Sequence, residues 1–224
     1  MRAFLPGLRE DRAAESEGEG GHVRAVERQS VEARHVGGGN AQPHEAAGGR
    51  VQTLIVSNKL GLSAYRTVPL LVALPERLEQ VQTLLKLCHQ RGVPVVARGA
   101  GTGLSGGALP LAKGILLVMA RFNKILEIDP AGRCARVQPG VRNLAISQAA
   151  APYGLYYAPD PSSQIACSIG GNVAENAGGV HCLKYGLTVH NLLKVDILTV
   201  EGERMTLGSD ALDSPGFDLL ALFT

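Results

Sequence analysis

A glycine-rich segment that follows an apolar run is the part of this sequence best suited to bind an anion. Residues 93–107 read VPVVARGAGTGLSGG, with Arg98 before the glycines and the hydroxyls of Thr102 and Ser105 among them. Glycine tolerates positive φ and lets a ligand approach the backbone, so such a turn can direct several N–H groups at one anion. The pattern predicts a loop that binds the diphosphate of a nucleotide cofactor.

Two motifs from other classes fit the same letters. Residues 101–106 match the dinucleotide motif G-x-G-x-x-G, and residues 103–107 match the hydrolase motif G-x-S-x-G, with Asp160 and His181 following in the required order. Both motifs need a helix directly after the turn, but the next residues contain more glycine and proline and lead into an apolar strand. We therefore expect no Rossmann nicotinamide site, and a hydrolase using Ser105 remains the weaker alternative. No lysine follows in Walker form, which excludes an NTPase loop.

A second glycine cluster lies further along the chain. Residues 167–179 read CSIGGNVAENAGG, in which two glycine pairs flank Asn172 and Asn176. This pattern predicts a long irregular loop, and such loops in compact domains usually have a function. Two clusters of this kind suggest one elongated ligand, of dinucleotide size, bound by both. His181 and Cys182 are adjacent and poorly spaced for a shared metal ion, so no metal site is expected.

Composition limits the class of protein. The chain has 224 residues, 45% of them hydrophobic, and a net charge of +2, which suits one domain and gives no sign of nucleic-acid binding. The four cysteines lack CxxC spacing, and the sequence shows neither a secretory signal nor an apolar run long enough for a membrane span. We therefore expect reduced thiols and a cytoplasmic location.

The elements that must position these loops begin near residue 61. Residues 1–60 mix glycine and charge without apolar periodicity, so we expect a disordered segment, and their arginine-rich composition would also suit translation in a wrong frame. The remainder alternates strands and helices, which favours an α+β fold. The predicted strands span 68–74, 93–97 and 114–119, the hairpins 123–138 and 192–207, and the helices follow Pro75 and span 141–151 and 217–223.

Five segments of the sequence, in order, resemble a known family. They are RGAGTGLSGGALP, VQPGV, YYAPDPSSQ, SIGGNVAENAGGVHCLKYG and LDSPGFDLLALFT. Together they resemble the FAD-binding domain shared by vanillyl-alcohol oxidase, D-lactate dehydrogenases and other D-2-hydroxyacid oxidoreductases, in particular the FAD-linked D subunits of bacterial glycolate oxidases. The resemblance covers 61–224 and implies an α+β FAD-binding domain of the vanillyl-alcohol oxidase (PCMH) type, with FAD between two subdomains.

The resemblance also implies a set of cofactor-binding residues. In some relatives a histidine in the first glycine loop attaches FAD covalently, and Thr102 takes that place here, so we expect dissociable FAD. The implied residues are Arg98, Gly99, Ala100, Gly101, Thr102, Gly103, Leu104, Ser105, Gly106, Gly107, Pro139, Gly140, Pro159, Asp160, Pro161, Ser162, Ser163, Gly170, Gly171, Asn172, Asn176, Gly178, Gly179, Tyr185 and Gly186.

The family reaction moves a hydride from C2 of an α-hydroxy acid to flavin N5 while a base accepts the hydroxyl proton. The resemblance implies that the base, the metal-binding histidines and the substrate-binding cap come after Thr224, so no catalytic or metal residue is assigned here. Expected partners are FAD, a small 2-hydroxy acid in the full-length relative, and other glycolate oxidase subunits, including an iron–sulfur one, that could bring the chain to the inner membrane. We expect the chain alone to hold FAD weakly or not at all and not to turn over glycolate; the alternative is an inactive flavoprotein remnant.

Overall fold

The computed structural model describes residues 1–4, 67–209 and 216–224, which form two sheets with helices against them. The smaller sheet is parallel, in the order β2-β4-β3, and the larger is antiparallel, in the order β5-β6-β1-β7-β8. The strands are β1 (Arg2–Phe4), β2 (Leu71–Ala73), β3 (Val95–Arg98), β4 (Ile115–Val118), β5 (Ile125–Asp129), β6 (Cys134–Val137), β7 (Leu192–Leu198) and β8 (Arg204–Gly208). The helices are α1 (Leu78–Gln90), α2 (Asn143–Ala150), α3 (Ile169–Ala174), α4 (Cys182–Tyr185) and α5 (Leu219–Leu222).

Helix α1 joins β2 to β3 and covers the smaller sheet. Its apolar residues recur at helical spacing, so that Val81 is buried and packs with Leu117 of β4 and with Phe122. The helix begins three residues later than the predicted Pro75 start, because the side chain of Gln80 accepts hydrogen bonds from the backbone N–H groups of Glu76 and Arg77. This packing fixes the orientation of β3 and therefore the position at which the glycine-rich loop begins.

The core of the larger sheet lies under α2. Ile146 and Ala150 of that helix are fully buried and pack with residues of β6 and with Ile169. Tyr157 belongs to the same cluster, and burial raises the pKa of its phenol above the ordinary value. The helix bounds agree closely with the predicted 141–151, because the apolar spacing and the flanking prolines and glycines define them.

Strand β1 differs from the prediction for the N-terminal segment. Ala3 is fully buried between β6 and β7 and pairs with Ala135 on one side and Leu192 on the other. A three-residue strand is too short to show apolar periodicity in the sequence. Its position is set by pairing with β6 and β7. The other residues of the predicted disordered segment, 5–60, lie outside the described part of the chain.

Helix α3 corrects the prediction that 167–179 is one irregular loop. Gly170 and Gly171 lie inside the helix, where a Cβ on Gly170 would come within 2.7 Å of the Pro139 Cβ. Gly170 is therefore needed for close packing against Pro139, and neither glycine marks an irregular backbone. None of the helices in the described ranges is long and apolar enough to cross a membrane.

Candidate functional site

The chain leaves β3 at the rim of a cavity of about 580 Å³, and the glycine-rich loop forms one wall. The opposite wall is the first turn of α3, and the turn at Pro161 and Ser163 adds a third side. Backbone hydrogen bonds hold these walls together: Gly170 N donates to Pro139 O at 2.8 Å, and Ile169 N donates to Val141 O at 2.8 Å.

The loop is packed too closely for side chains at two of its glycines. A Cβ on Gly99 would collide with Ser168 Oγ, and one on Gly101 would collide with the guanidinium of Arg98. Gly101 also has φ +71°, in the left-handed region that favours glycine. The predicted role of glycine in this loop therefore has a steric basis in the contacts with α3 and Arg98.

Arg98 brings a partly desolvated positive charge to the cavity wall. Its guanidinium Nη1 donates to Ala108 O at 3.4 Å, and no carboxylate of the described residues lies within ion-pair distance of it. Burial lowers the pKa of Arg98 from its usual value, but an arginine remains protonated at neutral pH. A half-buried cation that no carboxylate of the described ranges neutralises is suited to an anionic ligand.

Two buried polar atoms on the α3 wall also lack a protein partner. Ser168 Oγ and Asn172 Nδ2 make no hydrogen bond to any described residue, and their residues are only 5% and 3% exposed. Ser168 is the N-cap residue of α3, yet its hydroxyl does not cap the helix. Because buried polar groups are nearly always satisfied, both atoms point to a ligand with hydrogen-bond acceptors. With Arg98, they fit a diphosphate.

Ser105 faces a glutamate and not a histidine. Its hydroxyl donates to Glu175 Oε2, while His181 Nδ1 is paired with Asp160 Oδ2 at 2.6 Å. The next regular element after Ser105 is strand β4, so the strand–turn–helix of a nucleophile elbow is absent between these described residues. The structure therefore gives no support to the hydrolase alternative.

More than half of the sequence-predicted binding residues meet at this cavity. The residues in its lining come from four of the five predicted segments, all but the one at 185–186: Arg98, Gly99, Ala100, Gly101, Thr102, Gly103, Gly106, Gly107, Pro139, Pro161, Ser163, Gly170, Gly171 and Asn172.

The other predicted residues lie outside the lining: Leu104, Ser105, Gly140, Pro159, Asp160, Ser162, Asn176, Gly178, Gly179, Tyr185 and Gly186. Several of them have structural roles. Asn176 has φ +44° and accepts a hydrogen bond from Val189 N at 3.1 Å, and a Cβ on Gly178 would come within 2.7 Å of the Leu187 side chain. Glycine and asparagine in the second cluster therefore serve the local packing as well as the cavity.

Two polar residues of the lining are absent from the predicted set. Ser168 and Glu175 begin and end the α3 segment and both face the cavity. Ser168 was missed because a serine directly before a helix is usually interpreted as an N-cap. Glu175 was missed because a carboxylate repels the negative charge of a diphosphate. No group of three or more potential metal ligands lies together in the described part of the chain.

A larger cavity, of about 900 Å³, lies between α1 and β7. Its lining is mostly apolar, and six residues also line the smaller cavity: Val95, Ala97, Met119, Pro139, Gly170 and Ala174. The polar groups described above, Ser168, Asn172 and Arg98, belong to the smaller cavity alone.

The chain is similar to several curated proteins over about two thirds to three quarters of its length. It is 80% identical over 164 residues to the glycolate oxidase subunit GlcD of Escherichia coli K12, which covers 73% of this chain and 33% of that protein. It is 39% identical over 160 residues to GlcD of Bacillus subtilis, and 37% identical over 152 residues to a D-lactate dehydrogenase of Archaeoglobus fulgidus. These matches cover 71% and 67% of this chain and 34% of each relative. The chain thus spans about one third of the length of these relatives.

The fold and the family agree with the sequence-based expectation. A solved structure of alkyldihydroxyacetonephosphate synthase superposes with a TM-score of 0.60 at 24% identity, covering 72% of this chain and 32% of that one, which shows the shared fold. The FAD binding domain family matches residues 69–208. These findings confirm the predicted α+β fold of the vanillyl-alcohol oxidase type and the predicted cofactor, FAD. The chain belongs to the FAD binding domain family.

Proposed function

We propose that this chain is the FAD-binding part of a flavin-dependent oxidoreductase that acts on small 2-hydroxy acids of the glycolate type. The observation that carries the proposal is the cavity at the glycine-rich loop, which is lined by Arg98 and by Ser168 and Asn172. Among the described residues, Arg98 has no carboxylate partner, and Ser168 Oγ and Asn172 Nδ2 have no hydrogen-bond partner. The named activities of the similar proteins, glycolate oxidase and D-lactate dehydrogenase, support the substrate class. Bound FAD would supply the acceptor for the hydride at C2 of such an acid.

In this proposal the residues of the chain bind and orient the diphosphate. Arg98 neutralises part of its charge, Ser168 Oγ and Asn172 Nδ2 donate to its oxygens, and the backbone N–H groups of 99–107 surround it. Thr102 offers no ring nitrogen for covalent attachment, so we propose that FAD is dissociable. The predicted residues outside the lining then act by holding the walls, as Asn176 does through Val189.

Substrate binding and proton transfer are the two steps of the reaction that we do not assign to residues of this chain. We assign no catalytic residue to the described residues, and we propose that the proton-accepting base and the substrate-binding groups lie in the two thirds of the relatives that this chain does not match. We also propose association with other subunits, and the similarity to GlcD, a glycolate oxidase subunit, supports this. An iron–sulfur partner and attachment to the inner membrane through partners are finer parts of the same proposal.

Titration of the purified chain with FAD tests the binding step, with flavin fluorescence as the readout. We expect saturable binding that Arg98→Gln reduces by about tenfold or more, because a charged hydrogen bond is lost. Arg91→Gln is the matched control, since Arg91 is exposed at the end of α1 and lines neither cavity. Equal affinity of both variants for FAD would count against the proposed site.

A further inference from the structure

We propose that Glu175 is a specificity-determining residue that selects a dinucleotide diphosphate over ligands that end in a phosphate monoester; this inference rests on the proposed FAD binding. Glu175 directly follows α3 and lines the cavity. Its Oε1 is 3.3 Å from a Cβ built on Gly103 and 3.4 Å from one built on Gly107, and its Oε2 accepts the Ser105 hydroxyl. The carboxylate therefore lies against the glycine-rich loop itself.

The charges in the lining are one cation and one carboxylate. Arg98 and Glu175 are the charged side chains among the described residues that line this cavity. Arg98 can neutralise one negative charge, whereas Glu175 repels any further charge brought close to the loop. The lining thus favours a ligand in which each phosphate carries a single negative charge.

FAD and its competitors differ in this property. The diphosphate of FAD is a diester, so each phosphate carries a single negative charge. FMN and ADP end in a phosphate monoester, which carries about −1.5 to −2 at neutral pH. A carboxylate at the loop consequently penalises FMN and ADP more than FAD, which is discrimination by repulsion of the wrong ligand.

The hydrogen bond and the charge of Glu175 can be tested separately. A glutamine at this position would still accept the Ser105 hydroxyl, so Glu175→Gln removes the charge and keeps the support of the loop. Ser105→Ala does the reverse, because it removes the hydrogen bond and keeps the carboxylate. If the charge sets the specificity, only the first variant changes the preference among ligands.

The experiment is calorimetric titration of the wild-type chain and the variants with FAD, FMN and ADP at pH 7.5 and constant ionic strength. We expect Glu175→Gln to gain about tenfold in affinity for FMN and ADP relative to FAD. We expect Ser105→Ala and the control Glu79→Gln, an exposed glutamate of α1 that lines neither cavity, to keep the wild-type preference.

The outcomes distinguish this inference from the proposed function. A wild-type chain that does not bind FAD at any concentration reached would overturn both. A wild-type chain that binds FAD, with Glu175→Gln changing all three affinities equally or none of them, would overturn the role of Glu175 alone. Loss of preference in Ser105→Ala would also contradict it, because the hydrogen bond and not the charge would then set the specificity.

Discussion

Ser168, Asn172 and Arg98 are the groups whose polar atoms the described protein leaves without a sufficient partner. A buried polar group without a hydrogen bond destabilises the free chain by about 1–3 kcal/mol. A ligand that supplies the missing hydrogen bond removes this penalty, and the binding free energy becomes more favourable. Arg98 and Asn172 were predicted from the sequence, because one opens the loop and the other lies between glycine pairs. The lack of a hydrogen-bond partner for the Ser168 hydroxyl could not be predicted from the sequence. It depends on the contact between Gly99 and Ser168, which are far apart in the chain.

Ser168→Ala separates ligand binding from stability. We expect the affinity for FAD to fall about three- to tenfold, because one hydrogen bond to the diphosphate is lost, while the free energy of unfolding changes by less than about 0.5 kcal/mol. The hydroxyl has no hydrogen-bond partner to lose among the described residues, so little change in stability is expected. Fluorescence titration and urea unfolding measure the two quantities. Thr83→Ala, which removes an exposed hydroxyl of α1 that lines neither cavity, is the control for FAD affinity. A large loss of stability in Ser168→Ala would argue against an unsatisfied hydroxyl.

At the scale of elements, the sequence predicted those with a repeating pattern and missed those defined by contacts. Both hairpins and helix α2 have clear apolar spacing and turn residues, and they lie where predicted with bounds that differ by one or two residues. Helix α3 was missed because its two glycines were interpreted as irregular backbone, whereas they allow contact with Pro139 and Ser168. Strand β1 was missed because three residues carry no pattern.

The two glycines of α3 should respond differently to alanine. A Cβ on Gly170 would come within 2.7 Å of Pro139 Cβ and 3.0 Å of Pro139 O, so Gly170→Ala is expected to destabilise the fold by about 1–3 kcal/mol. A Cβ on Gly171 meets only the Ser168 hydroxyl at 3.3 Å, and the gain of about 1 kcal/mol in helix propensity should leave Gly171→Ala near or above wild-type stability. Urea unfolding compares the variants. Equal effects would show that α3 does not pack on Pro139 as described.

The β7–β8 hairpin contains a pH-sensitive contact. Burial by itself raises the pKa of Asp196, but hydrogen bonds from Thr206 Oγ1 at 2.6 Å and Arg204 Nη2 at 2.9 Å outweigh it and lower the pKa below its usual value. Because the carboxylate is favoured in the folded state, its contribution to stability is present above the ordinary Asp pKa of about 3.9 and is lost as the pH falls through the folded-state pKa.

Asp196→Asn is therefore expected to be less stable than the wild type at pH 7. The difference should be no more than about 1 kcal/mol, because both partners are partly exposed, and it should shrink as the pH falls below about 4. Urea unfolding at pH 7 and at pH 3 measures it. A difference that grows on acidification would mean that the Asp196 pKa is raised and not lowered.

At the scale of the molecule, the sequence predicted the α+β class and one elongated ligand but not the arrangement of the sheets. The pairing of β1 between β6 and β7 and the parallel order β2-β4-β3 arise from long-range contacts that local patterns do not contain. The cavity likewise depends on a contact between Gly99, directly after β3, and Ser168, directly before α3. Motif order therefore identified the family, while the walls of the site required the folded chain.

Ala3→Asp tests whether the N-terminal residues complete the larger sheet. Ala3 is fully buried in the core cluster with Ala135 and Val137, so an unpaired carboxylate there should cost about 3 kcal/mol or more of unfolding free energy. The exposed turn residue Ala131 provides the control variant Ala131→Asp, for which little change is expected. Thermal unfolding followed by circular dichroism measures both. An unchanged melting temperature for Ala3→Asp would show that β1 is dispensable.

The central claim is that the glycine-rich loop and α3 together bind the diphosphate of FAD. Hydrogen–deuterium exchange of the wild-type chain with and without FAD, read peptide by peptide, tests it most directly. The account predicts that FAD slows exchange in residues 99–107 and 168–172, because loop N–H groups bind the ligand and opening of both walls becomes less frequent. Protection by FAD confined to other segments, with these two unchanged, would contradict it.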